Sequence, residues 1–173
     1  MVILFMLGKQ QNLLNEIRTG WDKRATAIIS LVGATGGLLL VLLWDTASLE
    51  NIDLGQTLAR FGLSGLSWWF FVVYYVTIHP VLEELYWRGY LFRELPHRTV
   101  QDAAFAGYHV LVLLIFLKLP WVLVSFGLLW FSAWCWRRLT ERYDGLGVVI
   151  ASHAVADLSI LLAVAYLLRK AAM

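Results

Sequence analysis

The chain reads as an all-α, polytopic transmembrane helical bundle, and three observations carry that reading. Of 173 residues, 60% are hydrophobic and only 15% charged, with a mean hydropathy of +0.69; a soluble domain of this length needs far more polar surface to enclose its core. The apolar residues run in stretches close to the ~20 residues that cross a bilayer. Within those stretches the ionisable residues are few: His79, Glu83, Glu84, Asp102, His109, His153 and Asp157. A charge that persists at membrane depth is most often paired and functional.

About five spans are expected, over 25–44, 66–86, 100–117, 119–136 and 146–168. The third and fourth are short and separated by little more than Lys118-Leu119-Pro120, which predicts a tight helical hairpin. Val2 to Leu7 are too few to span, and Leu13, Leu14 and Ile17 lie among polar residues. That pattern predicts an N-terminal interfacial segment. The first span is too long for a signal-peptide core and is followed by no convincing small-residue cleavage site, so it is read as retained.

No Ser/Pro-rich linker, charge block or repeat divides the chain, so residues 1–173 are read as one domain with a motif-bearing core at about 66–168. The lone Cys135 offers neither a disulfide partner nor a CxxC motif and is assigned to packing. A net charge of +2 with scattered basic residues argues against a nucleic-acid partner. The partner expected from composition is the lipid bilayer. Orientation follows from the loops, because cytoplasmic loops carry the excess of Lys and Arg. Ten basic residues fall on the N-terminal side, counting Arg88, Arg98 and Arg137, and four on the other. The N-terminus is therefore expected in the cytoplasm.

Residues four apart share a helix face. Glu84 and Arg88 are so spaced and can pair, leaving Glu83 to face another direction beside His79; Phe105 shares a face with His109, and His153 with Asp157. At 1.5 Å per residue both histidines fall roughly 10–15 Å below the cytoplasmic surface. Three helices thus turn polar groups inward at one depth.

Three motifs follow one another on separate spans: Glu83-Glu84-Leu85-Tyr86-Trp87-Arg88-Gly89 (EExxxRG), Phe105-Ala106-Gly107-Tyr108-His109 (FxxxH) and His153-Ala154-Val155-Ala156-Asp157 (HxxxN/D). Together they resemble the signature of the CPBP family, which comprises CAAX prenyl endopeptidases of the Ras-converting type and bacterial bacteriocin-processing and immunity proteins. The resemblance covers roughly 80–157 and implies a glutamate-dependent intramembrane endopeptidase acting near the cytoplasmic face on a peptide or protein substrate with a membrane-associated tail. It implies Glu83 as general base on water, His109 as a partner in holding that water, and His153 with Asp157 as the oxyanion group. Glu84 and Arg88 are implied to shape the site. The short chain favours a bacterial inner-membrane processing role over eukaryotic prenyl-protein maturation.

Desolvation makes a carboxylate a better base near neutral pH, and amide hydrolysis needs a donor at the developing oxyanion. Asp157 departs from the Asn of the better-known CAAX enzymes, and an ionised Asp cannot donate. Either it is protonated, or, the reading favoured here, it accepts from His153 and fixes that ring's tautomer.

Simpler roles exist for each residue. Arg88 can snorkel from an interfacial ion pair, the histidines can make interhelical hydrogen bonds, and His79 before Pro80 can fill a polar gap. His97 sits in a charged loop, Asp102 suits a helix start, and the Trp68–Phe71 and Trp134/Trp136 clusters suit interface belts or packing. No cofactor is expected, with zinc held by Glu83, His109 and His153 as the alternative. A non-catalytic immunity or scaffold protein of the same fold is the competing class, and a transporter is disfavoured for want of an internal repeat.

Overall fold

A computed structural model describes residues 15–91, 98–171 and 173. The expected interfacial stretch within residues 1–14, and His97, lie outside the described residues. Among the described residues the main α-helices follow in this order: α1 (Lys23–Ala47), α2 (Leu54–Arg60), α3 (Gly65–Thr77), α4 (His79–Glu84), α5 (Arg98–Phe116), α6 (Leu119–Tyr143) and α7 (Gly147–Ala171), with a π-helical segment Leu85–Leu91 after α4. Among the described residues five helical stretches are long and apolar enough to cross a membrane: Lys23–Ala47, Gly65–Leu91, Thr99–Phe116, Leu119–Tyr143 and Gly147–Ala171. These match the five stretches expected from hydropathy, and the protein is a polytopic helical membrane protein.

Local chemistry sets the helix ends. Asp22 caps α1 by accepting from the Ala25 amide at 2.7 Å, and Asp53 caps α2 by accepting from the Gln56 amide at 2.8 Å. The α5–α6 hairpin turns at Lys118, with Pro120 in the first turn of α6, where its missing N–H costs nothing. Backbone bonds from Leu49 N to Phe116 O and from Lys118 N to Ala47 O, both 2.9 Å, tie that turn to the end of α1. At the opposite end, Leu146, Gly147 and Val148 donate to the carbonyls of Glu16, Thr19 and Gly20 at 2.9–3.0 Å, so the segment before α1 clasps the α6–α7 turn.

The span Gly65–Leu91 is jointed twice. Pro80 lacks the N–H that would continue the ladder from α3, and it is fully buried at the start of α4. The π-helical turn begins right after Glu84 and carries the buried Arg88 and Gly89. Such turns concentrate at functional sites because the widened ring re-aims side chains.

α7 is the central helix, and its main partner is α1. Their seam is built on small residues: Gly33 lies against Ala156, and Gly37 donates its amide to Ser159 Oγ at 3.2 Å. This is close packing of a GxxxG type, in which absent side chains let backbones approach. A Cβ on Gly37 would collide with the Ser159 carbonyl oxygen. Gly37→Ala should therefore destabilise the protein by roughly 1–3 kcal/mol, read as a lower melting temperature in detergent.

Large apolar side chains such as Leu31, Leu42, Phe70 and Leu111 face outward, where lipid and not water meets them. Of the aromatic clusters, Trp68 turns inward against Leu54, Leu58 and Leu161, whereas Trp69 and Phe70 face out. Cys135 is a half-buried free thiol within α6, as a packing residue would be.

Candidate active site

Glu83 and Glu84 end α4 with opposite surroundings. Glu84 is fully buried, and its Oε1 accepts from Arg88 Nη1 at 2.9 Å and from His153 Nδ1 at 2.7 Å. The first bond follows from the i,i+4 spacing; the second joins α4 to α7 across 69 positions of sequence. Arg88 is held from the other side by aromatic faces, its guanidinium carbon 4.3 Å from the Phe105 ring centre and 5.3 Å from that of Trp136. Trp136 in turn stacks on the His153 imidazole at 4.5 Å. A residue assigned from sequence to a belt or to packing is thus a wall of the site.

Glu83 is anchored much more loosely. Its Oε1 lies 3.4 Å from His79 Nε2 and its Oε2 3.6 Å from His153 Nε2. Asp157 completes the ring, with Oδ1 3.6 Å from His153 Nε2 and Oδ2 3.8 Å from His79 Nδ1. Separations of this size exceed direct hydrogen bonds and fit distances spanned by a bridging water or a substrate atom. Among the described residues, Glu83 Oε2, Asp157 Oδ2 and His79 Nδ1 are buried without a hydrogen-bond partner. Buried polar atoms so placed call for an explanation, and a site that handles a polar reactant supplies one.

The family model for type II CAAX prenyl endopeptidases, Rce1-like, matches residues 65–159. The chain belongs to this family. The matched stretch contains all three motifs, from the start of α3 to two residues beyond Asp157. No curated protein and no solved structure matches the chain. This Rce1-like protein is an integral-membrane endopeptidase of the CAAX type, working within a lipid bilayer on a peptide or protein substrate.

In this endopeptidase His109 stands apart from the carboxylates. Its Nδ1 donates to the Phe105 carbonyl at 2.8 Å, which leaves Nε2 with the lone pair. Among the described residues no carboxylate oxygen lies within 4.0 Å of either ring nitrogen. The ring packs on Phe105 and Tyr108 at 4.7 and 4.1 Å, and Phe105 itself stands edge-on to His153 at 6.1 Å. His109 therefore borders the cluster through Phe105 without touching Glu83. Glu83, His109 and His153 do not converge as a zinc trio, and among the described residues no three His, Cys, Asp or Glu side chains are grouped to hold a metal.

Four sequence readings change. The tautomer of His153 is set by Glu84 at 2.7 Å and not by Asp157 at 3.6 Å, because a cross-helix bond is invisible to spacing along one helix. Asp102 is more than a helix-start residue: it is buried and accepts from Arg137 Nε and Nη2 at 3.0 and 2.8 Å, a fork-shaped pair linking α5 to α6. Arg88 and Arg137 are consequently internal ion-pair partners and drop out of the loop-charge argument, although the majority of basic residues still falls on the N-terminal side. His79, discounted as gap filling, lies within 4 Å of both Glu83 and Asp157. Its spacing of four from Glu83 is the sequence signal that could have promoted it.

Proposed function

We propose that the protein is a glutamate-dependent intramembrane endopeptidase that cleaves a membrane-associated peptide or protein tail near the cytoplasmic face, in a bacterial inner membrane. The observation that carries this reading is the unequal treatment of adjacent carboxylates. Glu84 is fixed between Arg88 and His153, whereas Glu83 faces polar groups across gaps of 3.4 and 3.6 Å. An anchored carboxylate orients its neighbours, and a loosely held one is free to take a proton.

In the proposed reaction Glu83 removes a proton from water as the water oxygen attacks the scissile carbonyl carbon. The C=O electron pair moves to oxygen, and His153 donates to the oxyanion from Nε2. Because Nδ1–H is committed to Glu84, Nε2 carries a hydrogen only in the imidazolium form, which Glu83, Glu84 and Asp157 surround with carboxylates. Collapse of the intermediate breaks the C–N bond, and the proton held by Glu83 passes to the leaving amine. His109 presents Nε2 as an acceptor that helps hold the water.

Glu83→Gln and His109→Ala should each remove most turnover of an internally quenched farnesylated CAAX peptide while peptide binding persists. Combining them should cost little more than either alone, because residues acting as one unit are non-additive. Fully additive losses would separate His109 from the base. The cytoplasmic placement has its own check: a reporter fused after Lys170 should lie outside and one at Arg98 inside, and the reverse pattern would move the site to the other face.

A further inference from the structure

We propose that His79 is a positioning residue of this active site, which holds the Glu83 carboxylate in the orientation needed to take a proton from water. The inference rests on the reading of Glu83 as the base. His79 stands at the joint of the second span, between the end of α3 and the buried Pro80, so its backbone position is set by a feature peculiar to that joint. Its ring lies parallel to Tyr75 at 4.2 Å and 14°, and edge-on to Tyr74 at 6.2 Å and to His153 at 6.4 Å. Aromatic packing on three sides removes the rotational freedom of the imidazole.

That locked ring presents each nitrogen to a different acid. Nε2 faces Glu83 Oε1 at 3.4 Å on the next turn of its own span, and Nδ1 faces Asp157 Oδ2 at 3.8 Å on α7. Among the described residues Glu83 has no counterpart of the Arg88 guanidinium that donates to Glu84. His79 and His153, one toward each oxygen, are the groups that confine it. His153 is itself held by Glu84, so the orientation of the base depends on His79 for its second point of reference. Without it the carboxylate can rotate away from the line between water and the scissile carbonyl, and a misplacement of about 1 Å can reduce a rate by ~100-fold.

The test uses the full chain reconstituted in phosphatidylcholine vesicles, with an internally quenched farnesylated CAAX peptide as probe and Glu83→Gln as reference. His79→Phe keeps the stack on Tyr75 and removes both nitrogens; His79→Gln keeps a donor near Nε2 and gives up the stack. A positioning role predicts that His79→Phe lowers kcat by ~10- to 100-fold with KM and melting temperature nearly unchanged, and that His79→Gln recovers most of the turnover. Wild-type kcat in His79→Phe would overturn the proposal, since packing alone would then account for the residue. Should His79→Phe fail to fold, His79→Leu replaces it as the variant without nitrogens: a kcat ~10- to 100-fold below that of His79→Gln supports positioning by the donor, and a kcat equal to wild type overturns it. If Glu83→Gln itself cleaves at the wild-type rate, the base assignment fails and the role of His79 fails with it. If Glu83→Gln is inactive and His79→Phe is not impaired, only His79 is removed from the machinery.

Discussion

Arg88→Ala is expected to lose folded yield and activity together. The change leaves the fully buried Glu84 carboxylate without the partner that donates to it at 2.9 Å, and removes the guanidinium from between Phe105 and Trp136. Breaking a buried pair by deleting one member commonly costs about 3–5 kcal/mol, and the lower end of that range is expected here because His153 still donates to Glu84 at 2.7 Å. Activity should fall beyond what the folded fraction explains, since Glu84 also orients His153. Arg88→Lys should be intermediate: the charge survives, but the planar face that covers Phe105 does not. A melting temperature in detergent and turnover per folded molecule measure the two effects separately. Full stability with full activity in Arg88→Ala would mean that the pair does not support the site.

His153→Ala is expected to act on the chemical step. With the oxyanion donor gone, kcat should fall by ~100- to 1,000-fold with little rise in KM, because the interaction is made mainly in the transition state. Asp157→Asn should retain most turnover, since its carboxylate stands 3.6 Å from Nε2 and does not set the tautomer. A raised KM with unchanged kcat in His153→Ala would recast the residue as a substrate-binding group. Steady-state kinetics on the farnesylated peptide distinguish the two outcomes.

The parts of the molecule legible in its sequence are those governed by one helix at a time. Hydropathy located all five spans, because each must bury a continuous apolar length in lipid. Spacing of four paired Glu84 with Arg88, since that pairing needs only the turn of a single helix. The three motifs likewise mark α4, α5 and α7 as the helices that carry the polar residues. What stayed hidden depends on how helices meet. The bond from His153 to Glu84 crosses 69 positions, and the Asp102–Arg137 fork crosses 35. Neither partner in such a pair differs by type from a residue at a helix end. The π-helical turn is likewise silent, since no residue spacing in Leu85–Leu91 separates a π turn from an α turn. Gly33 and Gly37 lie between the two cases: their spacing is visible in the chain, but Ser159 as the partner of Gly37 is not.

The central claim is that Glu83 activates water without a metal, and single-turnover cleavage with enzyme in excess over the farnesylated peptide tests it most directly. Wild type and Glu83→Gln are compared with and without a strong chelator, after confirming that both variants are folded and bind the peptide. The account predicts a cleavage rate in wild type that chelation leaves unchanged, and a rate in Glu83→Gln lower by ~100- to 10,000-fold. Cleavage by Glu83→Gln at the wild-type rate, or loss of wild-type activity on chelation with recovery on adding zinc, would contradict it.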